Sequence, residues 1–369
     1  MPLRTVNHDH AAPRKGRGAA TNPEGRFENT AREAVDDGWN SDPDDDLPAL
    51  KTHVTIENAK SIISRNASPD VPFTQSINPY RGCEHGCIYC YARPSHAYLN
   101  LSPGVDFETR LFAKVNAAEL LRAELAKPAY QCELIALGAN TDPYQPIERE
   151  YRITRAVLEV LSECEHPVGI VTKNAMIERD LDILAPMAEK NLVNVYISVN
   201  NLDHDLARRL EPRCSAPARR MKTIERLAAA GIPVGVLVAP VIPFLTDHEI
   251  EPVLEAAYAA GAQSAGYVLM RLPYELKDLF RNWLEVHYPL KAKHVMSRVH
   301  QMRGGRDNDP DFGSRMTGNG EFATLLRKRF DIACKRFGFD SGKRHRSPVT
   351  TRFKPPAVKR GGDTQLALF

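Results

Sequence analysis

The chain has 369 residues, of which 43% are hydrophobic and 26% charged, and seven are cysteines. That is an ordinary soluble composition, long enough for one large domain with tails and able to bury a sizeable core. Aromatics are only 7% and the net charge is +3, so neither an aromatic-rich repeat nor nucleic-acid binding follows from composition alone. No apolar run approaches the roughly 20 residues of a membrane span. The opening MPLRTVNHDHAAPRKGRG carries no apolar segment of a secretory signal, so the expectation is a cytoplasmic protein with reduced thiols.

Residues 1–50 are polar, rich in Gly, Pro and Asp, and lack apolar periodicity. They start basic at Arg14, Lys15 and Arg17 and turn acidic at Asp42, Asp44, Asp45 and Asp46. Such a segment predicts disorder or a surface strap, with GRGAATNPEGRF as the stretch suited to a short ordered contact. From residue 51 to 290 short apolar runs alternate with amphipathic stretches. Strands are predicted at Pro72–Asn78, Glu133–Leu137, Val168–Thr172, Val193–Val199, Val234–Ala239 and Ser264–Met270. Helices are predicted near 113–127, 150–163, 177–190, 217–230, 247–260 and 273–287. Near-continuous apolar strands alternating with helices mean a parallel sheet covered by helices. Six such units predict an α/β fold, a partial (β/α)6 TIM-like barrel. No GxGxxG follows any strand, which argues against a dinucleotide fold. Residues 291–340 read as a basic helical extension, with a helix over 318–337. Residues 341–369 read as a flexible basic tail.

Cys83, Cys87 and Cys90 stand in RGCEHGCIYCYA, a C-x3-C-x2-C spacing. Three thiolates this close can face one side of a tight loop, and Gly82 and Gly86 supply the backbone freedom it needs. Thiolates are the standard ligands of iron–sulfur clusters, and three of them leave one iron open to a substrate. A structural zinc completed by His85 or His96 is the alternative, although zinc sites usually show a second paired set of ligands.

This spacing after a first strand, inside an α/β repeat and with an aromatic at Tyr89, resembles the radical S-adenosylmethionine (SAM) superfamily over roughly 72–290. CIYCYA, GANTDPYQPIE, VTKN, EPR and VAPVIP are similar to its spore photoproduct lyase-related branch. The resemblance implies that Cys83, Cys87 and Cys90 hold a [4Fe–4S] cluster whose open iron binds SAM. An electron donor such as flavodoxin or ferredoxin would reduce the cluster. It places Tyr89 against the SAM adenine and the loop Ala139, Asn140, Thr141 and Asp142 near the SAM amino group. Polar groups at the strand ends, Thr172, Lys173 and Ser198, would hold the ribose or the carboxylate, a fixed cation such as Lys173 or Arg213 suiting the carboxylate; ordinary strand-end caps or surface ion pairs are the alternative for each. Tyr91 corresponds to a proposed hydrogen relay. Ala139 occupies the position of a cysteine that returns hydrogen in spore photoproduct lyase, so the resemblance stops short of that step.

The chain ends QLALF. Apolar anchors at the end of a polar tail usually serve a groove on a partner. Gln365, Leu366, Leu368 and Phe369 resemble the motif by which bacterial repair proteins bind the DNA sliding clamp. The reading is therefore a radical SAM enzyme, lyase-like, acting on nucleic acid as in DNA repair. The alternatives are a protein or small-molecule substrate, or a non-catalytic metal-bearing adaptor recruited to the clamp.

Overall fold

Runs such as VGIVT and VNVYIS place β-branched residues on both faces of a strand, so they are stable only where helices cover both sides of a sheet. The computed structural model, which describes residues 14–27, 50–339 and 347–357, shows that arrangement. The strands are β1 (His53–Glu57), β2 (Ile63–Arg65), β3 (Gln75–Ile77), β4 (Tyr80–Arg81), β5 (Arg110–Lys114), β6 (Ile135–Leu137), β7 (Val168–Thr172), β8 (Val193–Ser198), β9 (Val234–Val241) and β10 (Ser264–Leu269). One sheet has the order β10-β9-β8-β7-β6-β3-β2. Its first six members run parallel, and β2 adds an antiparallel edge. Because β10 and β2 are its two ends, the barrel is open, as expected for a partial (β/α)6 fold.

The helices are α1 (Asp106–Thr109), α2 (Ala117–Leu125), α3 (Glu148–Tyr151), α4 (Ile153–Glu163), α5 (Leu181–Glu189), α6 (His204–Leu210), α7 (Pro217–Ala229), α8 (Ile250–Ala259), α9 (Leu276–His287), α10 (Pro289–Met302) and α11 (Gly320–Phe337). Among the described residues, no helix is long and apolar enough to cross a membrane.

Three expectations change. The stretch 113–127 is a helix only from Ala117; its start belongs to β5, centre of a second sheet, β1-β5-β4, that periodicity did not reveal. Those strands are short, and β1 is largely exposed, so they carry little apolar signal. The basic extension is not a separate unit. Ala323, Leu326, Phe330 and Ala333 of α11 enter the main core, while Arg329 pairs both guanidinium arms with Glu251 of α8 at 2.8 and 2.6 Å. Finally, residues 347–357, expected within the flexible tail, are docked. Val349 N–H donates to Asn191 (2.9 Å), Lys354 N–H donates to Cys164 (2.8 Å), and Phe353 packs on His166 and Tyr130. Gln365, Leu366, Leu368 and Phe369 lie outside the described residues.

His166 makes this docking pH-dependent. Burial lowers its pKa from 6.5 to about 4, against a small opposing pull from the Pro167 carbonyl. The unfolded chain therefore takes up the proton first, so stability is full above pH 6.5 and is lost as pH falls toward 4. At about 1.4 kcal/mol per pH unit the loss approaches about 3 kcal/mol. Urea unfolding between these pH values should show it, and His166→Gln should flatten that part of the profile. An unchanged slope in the variant would refute the assignment.

Candidate functional site

In a barrel the catalytic face lies at the carboxyl ends of the parallel strands. Here β3 ends at Ile77, and the chain passes through β4 into the cysteine loop. Within that loop Gly86 N–H donates to Cys83 O (3.3 Å) and Cys90 N–H to Cys87 O (3.2 Å), successive turns that wind the loop tightly. Cys83 and Cys90 pack with Ala92 and Phe107. Burial, together with charge on Cys87 and Cys83, pushes the Cys90 thiol up to about 12. Holding Cys90 as a thiolate here calls for a cationic centre, and a soft iron–sulfur core fits a donor set of three thiolates. Among the described residues no three His, Cys, Asp or Glu side chains converge on a single ion. In a cubane each thiolate ligates a different iron, so convergence on one point is not required.

A second layer holds the loop. The Arg93 guanidinium is fully buried and donates to the carbonyls of Cys87 (2.9 Å), Gly86 (3.0 Å), Pro103 (3.1 Å) and Gly104 (2.9 Å), and pairs with the buried Glu108. Glu108 in turn accepts from Gly18 N–H (3.0 Å) and Ala19 N–H (2.9 Å). Residues 17–27, within the stretch GRGAATNPEGRF that the sequence marks as suited to a short ordered contact, thus clamp the back of the cluster loop. A Cβ at Gly18 would lie 1.9 Å from the Gly86 carbonyl oxygen, so only glycine permits this approach.

The loop after β6 meets the cysteine loop through Asp142. Its carboxylate accepts from the Thr172 hydroxyl (2.7 Å), Lys173 N–H (2.8 Å) and Tyr144 N–H (2.8 Å), and lies 3.3 Å from His85 Nδ1. Burial opposes its charge, yet His85 and these donors hold its pKa at about 2. Burial likewise opposes charge on His85, but Asp142 and Cys83 raise its pKa well above the usual histidine value. Asn140 and Thr141 N–H both donate to the Asn78 side chain, at 2.9 and 3.3 Å, and the Tyr91 hydroxyl donates to the Ala139 carbonyl. Asp142 and Asn78 thus join the first three parallel strands at their carboxyl ends.

The remaining predicted residues divide. Lys173 Nζ lies 5.9 Å from the centre of the Tyr89 ring and has no ion-pair partner among the described residues. Arg213 is paired with Glu84, whose carboxylate also accepts from the Thr52 hydroxyl at 2.6 Å. Ser198 is buried, and its carbonyl accepts from Arg220 at 2.9 Å. Sequence reasoning missed the chain that links these parts. The Tyr89 hydroxyl donates to Glu211, and Glu211 pairs with the buried Arg220, which also donates to Ser215 O at 2.6 Å. Glu211 was visible as the first letter of EPR; Arg220, on α7, carried no signal. Cys214 was also left aside, yet its sulfur lies 3.6 Å from that of Cys87. His85 and His96, the zinc alternatives, have other partners: His85 Nε2 meets Asn174 (3.0 Å), and His96 Nε2 meets the Arg110 carbonyl (2.9 Å).

A three-thiol loop at the carboxyl end of the first parallel strand of an open barrel is matched in sequence as well, because residues 77–257 match the radical SAM superfamily. This part of the chain is a radical SAM domain. Its cofactors are a [4Fe–4S] cluster and SAM, which replaces the zinc alternative. An uncharacterized protein of Mycobacterium tuberculosis is 38% identical over 221 residues, 59% of this chain and 65% of that protein. The chain thus spans just under two thirds of that relative. An uncharacterized protein of Methanocaldococcus jannaschii is 26% identical over 63% of this chain and 82% of its own. Among solved structures, a mutant spore photoproduct lyase with bound SAM and dinucleoside spore photoproduct aligns with a TM-score of 0.53 at 15% identity, covering 77% of this chain and 79% of that one. At that identity the likeness is one of fold, and it extends beyond the radical SAM domain.

Proposed function

We propose that the chain is a radical SAM enzyme that acts on nucleic acid in the cytoplasm, in a reaction of the lyase or repair type. The observation that carries this is the cysteine loop, buried and clamped at the carboxyl ends of the parallel strands beside one unpaired cation, Lys173. When bound and reduced by a flavodoxin- or ferredoxin-like donor, the cluster supplies the electron that cleaves SAM to methionine and a 5′-deoxyadenosyl radical. Cys83, Cys87 and Cys90 would hold that cluster, with Arg93 fixing the loop backbone behind them. Lys173 Nζ would take the SAM carboxylate, a charge-assisted contact that fixes the cofactor's orientation. Arg213, already paired with Glu84, would hold the loop instead. Tyr89, anchored through Glu211, would present its ring to the adenine. Asp142, Asn140 and Thr141 would set the backbone of the loop that meets the SAM amino group, Ala139 would hold Tyr91 in place, and Ser198 would close the site at β8. Residues 17–27 and α1 would keep water from the radical.

The nucleic-acid part draws on the exposed Arg208 and Arg209 in the last turn of α6, beside the cysteine loop. Docking of Gln365, Leu366, Leu368 and Phe369 on a sliding clamp belongs to the same reading. The test is anaerobic reconstitution with iron and sulfide, reduction with dithionite, and addition of SAM with and without ultraviolet-damaged DNA. The expected result is 5′-deoxyadenosine whose formation is accelerated by the DNA. Equal rates with and without nucleic acid would move the reading to a peptide or small-molecule substrate, and no cleavage at all would remove the enzyme reading.

A further inference from the structure

Arg14, Lys15, Arg17, Arg208 and Arg209 line one cavity of about 290 Å³ on the flank of the cysteine loop, together with His287. The single acidic side chain in its wall is Asp205. Two elements far apart in sequence bring these cations together, and each is held for a separate reason. The turn Arg14–Arg17 is closed by Arg17 N–H donating to Arg14 O at 3.0 Å, with Gly16 at φ +74°. Arg17 points inward, donating to the carbonyls of Glu108 (2.9 Å) and Leu50 (2.6 Å) and to the Thr52 hydroxyl (3.0 Å). Its anchoring leaves Arg14 and Lys15 on the outer side of the turn. Opposite, the last turn of α6 carries the exposed Arg208 and Arg209, and the end of that helix is tied to the cysteine loop by Ile88 N–H donating to Leu210 O at 3.0 Å.

Like charges converging at fixed positions repel, and Asp205 is the single carboxylate in the wall to set against them. Arg209 contacts Tyr288 through a hydrogen bond of 3.1 Å, but Arg14, Lys15 and Arg208 form no ion pair among the described residues. Cations at the end of α6 suit that helix's own dipole, which accounts for Arg208 and Arg209 but not for the turn brought against them. A polyanion supplies the missing charge. We propose that this cavity is a phosphate-binding site for the backbone of a nucleic-acid substrate, seating the strand beside the cysteine loop; the inference rests on the nucleic-acid reading above. Phosphate contacts of this kind position a strand without reading its sequence.

The experiment uses the full chain, reconstituted with its cluster, and a fluorescein-labelled single-stranded oligonucleotide. Anisotropy titrations at several salt concentrations compare wild type with the Arg14→Gln, Lys15→Gln, Arg208→Gln triple variant. Arg17 and Arg209 stay, because they hold the surrounding structure. Three lost phosphate contacts should weaken binding roughly tenfold or more at low salt and reduce the slope of log Kd against log salt by about 2. Basal 5′-deoxyadenosine formation without nucleic acid should be unchanged, which shows that the variant is folded and loaded. Equal affinity and equal slope in the variant would overturn the site while leaving the nucleic-acid reading intact. Displacement of the oligonucleotide by inorganic pyrophosphate at matched phosphate concentration would overturn it in favour of a free anion. Failure of wild type to bind the oligonucleotide at any salt would overturn the nucleic-acid reading itself.

Discussion

Replacing Cys83, Cys87 and Cys90 together by alanine should abolish bound iron after anaerobic reconstitution and remove all detectable SAM cleavage. The loop offers few donors beyond these three sulfurs. The three cysteines are buried or half-buried, thiolate charge on Cys83 and Cys87 works against ionising Cys90, and no three His, Cys, Asp or Glu side chains converge on a single ion among the described residues. Each single variant should also lose the cluster, because two thiolates leave two irons without a protein ligand. The informative control is Cys214→Ser. Its sulfur lies 3.6 Å from Cys87, close enough to compete for iron, but it lies on the turn after α6 and outside the C-x3-C-x2-C loop. The expected outcome is full iron content and the usual charge-transfer absorption in Cys214→Ser, against colourless protein in the triple variant. Iron retained in the triple variant would show that the ligands have been assigned to the wrong sulfurs.

Glu108→Ala should destabilise the loaded protein by about 3–5 kcal/mol, the usual cost of leaving a buried charge without its partner. Arg93 and Glu108 are both 0% exposed, so water cannot take over when the carboxylate is removed. The Gly18 and Ala19 amides lose their acceptor at the same time. The N-terminal strap should therefore loosen together with the core. Urea unfolding measures the first effect. Trypsin measures the second, since cleavage after Arg17, which its anchored side chain resists in wild type, should become fast. Stability within about 1 kcal/mol of wild type would mean that Arg93 is satisfied by its four carbonyl contacts alone, contrary to the expectation for an unpaired buried charge.

Much of this was legible in local pattern. Strand-like apolar runs and amphipathic helices depend on neighbours within a few residues, so six parallel strands could be read in order. The cysteine spacing is equally local, which is why the cluster loop needed no tertiary information. What stayed hidden depends on residues far apart in the chain. Glu211 and Arg220 are nine residues apart, and their importance comes from a third partner, Tyr89, 122 residues from Glu211. Arg213 reads as a free cation until its pairing with Glu84 is seen.

The same contrast holds for the ends of the chain. Polar, glycine-rich composition correctly marked residues 14–27 as unable to form a core of their own. It could not show that Glu108 and Arg93 offer them a buried charge to bind, or that the backbone at Gly86 leaves room only for a glycine. Residues 347–357 have the same history, docked through Phe353, Arg352 and Lys354 on a surface that α4 and β7 create. By itself the sequence determined the barrel, the cluster loop and the chemistry the thiols invite, because periodicity and ligand spacing act over short range. Only the tertiary structure decided which charges are spent on holding the loop and which remain free for cofactor and substrate, because electrostatic pairing is settled by distance in space.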